Sequence, residues 1–245
     1  MIKLYSSLAT VYHEMYQQIF DYDKEFRFYH SVLKKKNCHK IVEIGCGTGL
    51  LAKKLINAGY DYLGVDLYDE MLEIARKETN SDRFIQGDMR YLQLDQSFDC
   101  ALITGRSIAY VTENQEIISA LNGINHLLKD DGYFIFDSFD ANKIFENFTE
   151  KSEQVVKSGN RTIRRKNKMI RNLATGWTWD FVAKYIIEEN NERVEYEDFT
   201  TLRAFTKDEI YLFLKLTRFN LVEVVQDNVL RFVAKKENVI SEVIS

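Results

Sequence analysis

A chain of 245 residues with 45% apolar side chains is long enough to bury one full core, so a single domain with a small appendage is expected. The net charge of -4 gives no overall attraction to nucleic acid, and three cysteines, Cys38, Cys46 and Cys100, without CxxC spacing argue against a disulfide framework or a zinc site. No apolar run approaches the roughly 20 residues that span a bilayer and no signal-peptide pattern is present, so a cytoplasmic protein without membrane insertion is expected.

Residues 5–36 read as helical: Leu8, Val11, Tyr12, Met15, Tyr16 and Ile19 recur at intervals of three and four, and a second amphipathic stretch runs from Asp23 to Lys36. A short apolar strand, 40–44, then runs into Gly45, Gly47 and Gly49 and emerges as a helix over about 49–58 that closes at Gly59. Glycines allow positive φ and close approach of a ligand, and the helix start behind them presents unpaired N–H groups to a negative group. Leu50 stands where the dinucleotide fingerprint GxGxxG needs its last glycine, which argues against NAD or FAD. The second strand, 61–66, ends in Asp66, a carboxylate placed to accept both hydroxyls of a ribose lying over the loop. A helix, DEMLEIARKE, leads to a third strand near 83–86, followed by Asp88 and Met89, a polar and an apolar group suited to an adenine edge and face. Strand four covers 98–104, and the helix QEIISALNGINHLLK leads to strand five at 133–139. This alternation predicts an α/β, doubly wound architecture of right-handed parallel βαβ units.

After a short helix, DANKIFENF, the period changes. Stretches such as QVVKSGNRTIRRKN, GWTWDFVAKYIIEEN and ERVEYEDFTTLRAF alternate as strands of an antiparallel meander. Ligands bind outside the carboxyl ends of the strands, so an insertion after strand five emerges on the ligand side and reads as a substrate lid. The expected division is a main domain of 1–139 and 203–245 with a lid of 140–202, closed by the hairpin NLVEVVQ and VLRFVAKK.

VEIGCGTG at 42–49, GVDL at 64–67 and QGDM at 86–89, in this order, resemble the class I S-adenosylmethionine-dependent methyltransferases over most of residues 1–139. The resemblance implies a Rossmann-like seven-stranded sheet whose last strand is antiparallel, and S-adenosylmethionine as cofactor, S-adenosylhomocysteine as product and no metal. On this resemblance the first motif contributes Glu43, Gly45, Cys46, Gly47 and Gly49, the second Asp66 and Leu67, the third Asp88 and Met89, and the end of strand four Thr104. Cys46 serves the loop by being small. The segment TGRSIAYV, with Arg106 and Ser107, occupies the place where family members meet their acceptor.

LATVYHEMY resembles the N-terminal segment of small-molecule and amino-sugar N-methyltransferases, with His13 where Asp is usual. That match puts Tyr12 beside the sulfonium and makes His13 a candidate base, while Tyr16, one helical turn from Tyr12, is equally explained by packing. Arg106 is a candidate clamp for a carboxylate or phosphate. Trp177, Trp179 and Phe181 share a strand face and read either as an aromatic wall for the acceptor or as glue between lid and core. Asp140, beyond strand five, and Asp137 are candidate carboxylates near the acceptor.

The chain has no proline, and therefore neither an NPPY signature of base amino methylation nor a Pro-Cys nucleophile of cytosine methylation. Residues 151–171 hold eight basic side chains against Glu153 alone, but the acidic run 185–198 can neutralise them across strands. The function expected is methyl transfer to a small-molecule or peptide natural-product acceptor, at nitrogen, by proximity and desolvation. An RNA methyltransferase and a non-catalytic cofactor-binding regulatory subunit remain as alternatives. Oligomeric state and the acceptor's identity are not legible.

Overall fold

The computed structural model describes residues 2–227 and 229–238. Helices α1 (Ala9–Ile19) and α2 (Tyr22–Lys35) are separated at Phe20 and Asp21, where the Asp21 carboxylate caps α2 by accepting from the Lys24 N–H at 2.8 Å. There follow β1 (Lys40–Ile44), α3 (Leu50–Asn57), β2 (Asp61–Asp66), α4 (Asp69–Thr79), β3 (Phe84–Gln86), β4 (Phe98–Ile103), α5 (Asn114–Leu127) and β5 (Leu128–Ser138). Strand β5 begins five residues earlier than the pattern predicts, because Leu128 already pairs with Phe98 before the register shifts.

Next come α6 (Ala141–Glu146), the four strands β6 (Lys151–Ser158), β7 (Arg161–Arg171), β8 (Trp177–Glu189) and β9 (Glu192–Ala204), then α7 (Lys207–Leu216), β10 (Phe219–Gln226) and β11 (Leu230–Lys236). Helix α7 was not anticipated. Its signal stands in the sequence as Thr206-x-x-Glu209, and both halves of the capping box are formed.

The main sheet has seven strands in the order β10-β11-β5-β4-β1-β2-β3, parallel from β5 to β3, with β11 antiparallel to β5 and to β10. Alternate residues of its buried strands feed two cores. In β4, Phe98, Ala101 and Ile103 join a cluster with Ile117, Leu121, Ile210 and Leu214 of α5 and α7. Cys100 and Leu102 face the other way, into Tyr29, Leu33, Leu51, Leu55 and Leu72 of α2, α3 and α4.

The second sheet, β6-β7-β8-β9, is an antiparallel meander inserted after β5. The stretch 154–167 is two of its strands, turned at Gly159 and Asn160. Leu8, just before α1, and Val11 and Met15 within it pack on Val156, Ile163, Ala183 and Tyr185 of this sheet, so α1 serves the insertion rather than the main core. No helix among the described residues is long and apolar enough to cross a membrane.

Candidate functional site

The carboxyl edge of the main sheet and the inner face of the second sheet enclose a cavity of about 580 Å³. That lies within the roughly 300–1,000 Å³ of small-ligand sites. The β1–α3 loop forms its floor. Gly45 has φ +77°, and a Cβ there would stand 2.8 Å from Ser107, so this crossing of two loops requires glycine. Gly49 has φ +76° for a different reason. As the residue before α3 it lets the helix approach α4, and a Cβ would meet Ala75 at 2.9 Å.

Three carboxylates stand around the loop, each already engaged. Asp66, buried at the end of β2, accepts from the Gly47 N–H at 2.8 Å and the Tyr68 N–H at 3.1 Å, and burial raises its pKa. Its oxygens retain lone pairs on the cavity side, so the carboxylate shapes the loop and can still accept from a ligand. Glu43 accepts from the Tyr62 hydroxyl and the Thr104 hydroxyl, both at 2.6 Å, and desolvation pushes its pKa up to about 7. Asp88 is held by the Arg90 guanidinium, which keeps its carboxyl below the usual range, and Arg90 also reaches Glu116 at 3.0 Å.

Beyond β4 the chain turns through Gly105 and Arg106, both with positive φ. The Arg106 N–H donates to the buried Asp137 carboxylate at 2.6 Å. Its guanidinium lies over the Phe20 and Phe139 rings at 5.1 and 5.2 Å, with no carboxylate partner among the described residues. Asp137 itself is sequestered beneath the cavity, where burial raises its pKa.

The opposite wall is aromatic. Tyr12 and Tyr16 stack with centroids 4.1 Å apart, and Tyr5 meets Tyr12 edge-on at 5.4 Å. The first turn of the chain is fastened to β9 by Asp198, whose carboxylate accepts from the Lys3 and Leu4 N–H groups at 3.0 and 2.8 Å. Gln154, Arg165 and Tyr185 are paired residues of β6, β7 and β8 and contribute a transverse row to this wall.

Of the residues singled out from sequence, Tyr12, Tyr16, Glu43, Gly45, Cys46, Gly47, Asp66, Leu67, Asp88, Met89, Thr104, Arg106 and Ser107 line this one cavity. Five do not. His13 lies on another face of α1, with Nδ1 3.0 Å from the Thr48 hydroxyl and Nε2 3.3 Å from Glu78, behind the glycine loop rather than in the cavity. Gly49 is a helix-packing glycine, as above. Asp140 caps α6 by accepting from the Asn142 N–H and also accepts from Gln226.

Trp179, only 3% exposed, packs against Phe139 and Phe145, and Trp177, 36% exposed, leans on Phe145. The strand alternation is as expected, but only Phe181 of the three aromatics lies far enough along β8 to reach the cavity. Residues missed from sequence are Tyr5, Tyr22, Tyr68, Tyr110, Tyr185 and Arg165. Their signal was the unusual tyrosine content, 14 residues, but only folding says which of them converge.

Residues 41–132 match a family model described as a methyltransferase domain. A protein of Geobacillus sp. (strain WCH70) named as a methyltransferase is 32% identical over 163 residues, covering 62% of this chain and 66% of the relative. The chain spans 66% of the length of that relative and 60% of a second curated relative that it matches, from Bacillus subtilis.

Over nearly the whole chain the fold is similar to that of an S-adenosylmethionine-dependent methyltransferase from Clostridium acetobutylicum (TM-score 0.80, 18% identity, 95% and 98% coverage). It is also similar to the sugar N-methyltransferase KedS8 from Streptoalloteichus sp. (TM-score 0.81, 20% identity, 93% of each chain). The fold and the domain match define a Rossmann-like methyltransferase. Residues 41–132 carry a methyltransferase domain, on a fold shared with S-adenosylmethionine-dependent methyltransferases.

Proposed function

We propose that the protein transfers a methyl group from S-adenosylmethionine to the nitrogen of a small-molecule or peptide natural-product acceptor, with residues 140–202 acting as the acceptor's cap. The observation that carries this reading is the single cavity in which the glycine loop and Asp66 face a wall of tyrosines and arginines. Gly45, Cys46 and Gly47 would cradle the cofactor's tail, Asp66 its ribose, and Leu67, Met89 and Asp88 its base. The fit rests on the unobstructed backbone at Gly47, where even a Cβ would find only Met71 and Tyr12 at 3.6 Å or more, and on the unused lone pairs of Asp66. The bound cofactor supplies an electrophilic methyl on sulfur.

The chain's own work is positioning. Tyr12, whose hydroxyl stands 3.8 Å from the Cβ position of Gly47, borders the reacting side of the loop. Enclosure by the second sheet excludes water and fixes the line of approach, a contribution of several kcal/mol for well-aligned reactants. Arg106 would orient an anionic group of the acceptor. An amine acceptor that arrives neutral needs no dedicated base, which suits a cavity whose carboxylates are all engaged. The neighbouring fold of a sugar N-methyltransferase is consistent with a nitrogen acceptor.

Three of the eight basic side chains of 151–171 are already engaged within the protein, which weighs against an RNA acceptor. Arg161 pairs with Glu14 and Glu189, Arg164 pairs with Glu153, and Arg165 turns inward.

Calorimetry should give binding of S-adenosylhomocysteine and none of NAD. Tritiated methyl transfer screened over metabolite amines, short peptides and total RNA should label an amine, and Arg106→Ala should lower that turnover far more than cofactor affinity. Efficient labelling of RNA, lost on neutralising Arg164, Arg165 and Lys166, would overturn the assignment. Cofactor binding with no labelling at all would favour a non-catalytic subunit.

A further inference from the structure

Arg165 is 7% exposed and lines the cavity, yet no carboxylate among the described residues pairs with it. Its guanidinium touches neutral groups only: one nitrogen donates to the side-chain oxygen of Gln154 and another to the Tyr16 hydroxyl at 3.4 Å. Its Nε is buried without a hydrogen-bond partner. Every other deeply buried arginine has oxygen partners that include a carboxylate: Arg203 bonds Glu209, and Arg231 bonds Glu25 and Asp227. Burying a guanidinium without a counter-ion is costly, so a protein that keeps one beside a cavity is arranged to receive an anion.

The cavity's own acids do not supply it. Asp66 and Glu43 are engaged around the glycine loop, Asp88 by Arg90, Glu25 by Arg231 and Asp198 by the first turn of the chain.

We propose that Arg165, flanked by Gln154 and Tyr185 across β6, β7 and β8, is the specificity-determining receptor for an oxyanion carried by the methyl acceptor. This deepens the proposed methyltransferase reading and rests on it for the word acceptor. The geometry also sets a size. Tyr12 adjoins the glycine loop, Tyr16 stacks on Tyr12 at 4.1 Å, and the guanidinium carbon lies 5.8 Å beyond the Tyr16 ring. The guanidinium carbon is therefore at most about 10 Å from the Tyr12 ring centre, which caps the separation of oxyanion and reacting amine at roughly that length. The acceptor is then an amine bearing a phosphate or carboxylate within that reach. A planar guanidinium beside an amide and a phenol offers such a group donors in the directions its lone pairs take.

The test uses four probes with the full chain: glucosamine 6-phosphate, 6-aminohexanoate, and their uncharged-tail counterparts glucosamine and hexylamine. Binding is measured by calorimetry with and without S-adenosylhomocysteine, alongside the cofactor's own affinity and the ligand-free melting temperature. The two oxyanion probes should bind at least roughly tenfold better than their counterparts, the stronger of the two saying whether phosphate or carboxylate is preferred. Arg165→Gln should abolish that preference, Arg165→Lys should keep part of it, and neither should move cofactor affinity. Arg165→Met should hold or raise the ligand-free melting temperature, since it removes an uncompensated buried charge.

Equal binding of charged and uncharged probes, or a preference that survives Arg165→Gln, would refute the receptor. A fall in the ligand-free melting temperature of Arg165→Met by more than about 5 °C would assign the guanidinium to holding the sheet instead. Loss of cofactor binding alone, with the oxyanion preference intact, would sink the methyltransferase reading and leave the receptor standing.

Discussion

The two walls of the cavity are built on opposite principles. On the main-sheet side the polar groups bind one another: Asp66 ties the Gly47 N–H, Glu43 joins Tyr62 and Thr104, and Asp88 joins Arg90. Each conformation is fixed before any ligand arrives. On the second-sheet side, Tyr12 and Tyr16 stack with no hydrogen bond between them, and Arg165 lacks an acid. One wall is a finished scaffold, whereas the other keeps unspent valence. Substitutions on the first should therefore change stability and cofactor binding together, and substitutions on the second should change acceptor binding alone.

The largest effect is expected at Gly49. Alanine there would carry the strain of φ +76° and press its Cβ to 2.9 Å from Ala75, so urea unfolding should show a loss of about 2 to 5 kcal/mol. A loss below about 1 kcal/mol would mean that α3 and α4 can part without cost.

Glu43 sharpens the same wall by its pH dependence. Its pKa when folded is about 7 against an ordinary 4.5, so between those values the folded state holds more protons than the unfolded. Stability from this group is full below about 4.5 and is lost as pH rises through 7. Wild type should lose up to about 3 kcal/mol over that window relative to Glu43→Gln, which stays neutral throughout. Parallel stability curves for the two proteins would show that the buried carboxyl ionises without penalty.

Asp66→Ala should weaken S-adenosylhomocysteine binding by about 1.5 to 3 kcal/mol in calorimetry. The melting temperature should fall as well, because the Gly47 and Tyr68 N–H groups lose their acceptor. Weakened binding with an unchanged melting temperature would separate the two roles that the comparison joins.

The smallest effect is expected at Trp177, which leans on Phe145 away from the cavity. Trp177→Ala should cost about 1 kcal/mol of stability and leave acceptor KM within about twofold. Phe181→Ala, on the same strand face but at the cavity, should raise that KM several-fold. Equal kinetic effects at both positions would erase the distinction between glue and wall.

How much of this was legible depends on whether the residues concerned are neighbours in the chain. The glycine loop, Asp66 and the Asp88–Met89 pair sit at strand ends, where a period of two followed by glycine or by a polar residue marks the position without any knowledge of packing. Parallel strands and crossover helices follow from the same local pattern, as does the antiparallel character of the insertion. Helix α7 is legible too, through the capping box that Thr206 forms with Glu209.

His13 illustrates the limit. It lies next to Tyr12 in sequence, but successive helical residues point about 100° apart, so one faces the cavity while the other backs the glycine loop. Trp177 and Trp179 show the same limit along a strand: they share a face with Phe181, but how far that face extends over the cavity is decided by where β8 crosses the main sheet. Arg165 was visible only as one of eight bases in a charged run. The sequence by itself determined the sheet, the glycine loop and the class of chemistry, because those depend on local periodicity and on residues a few positions apart. Only the tertiary structure decided which tyrosines meet, which arginine is left without an acid, and which tryptophans are mere packing, because each of those depends on a distance between elements far apart in the chain.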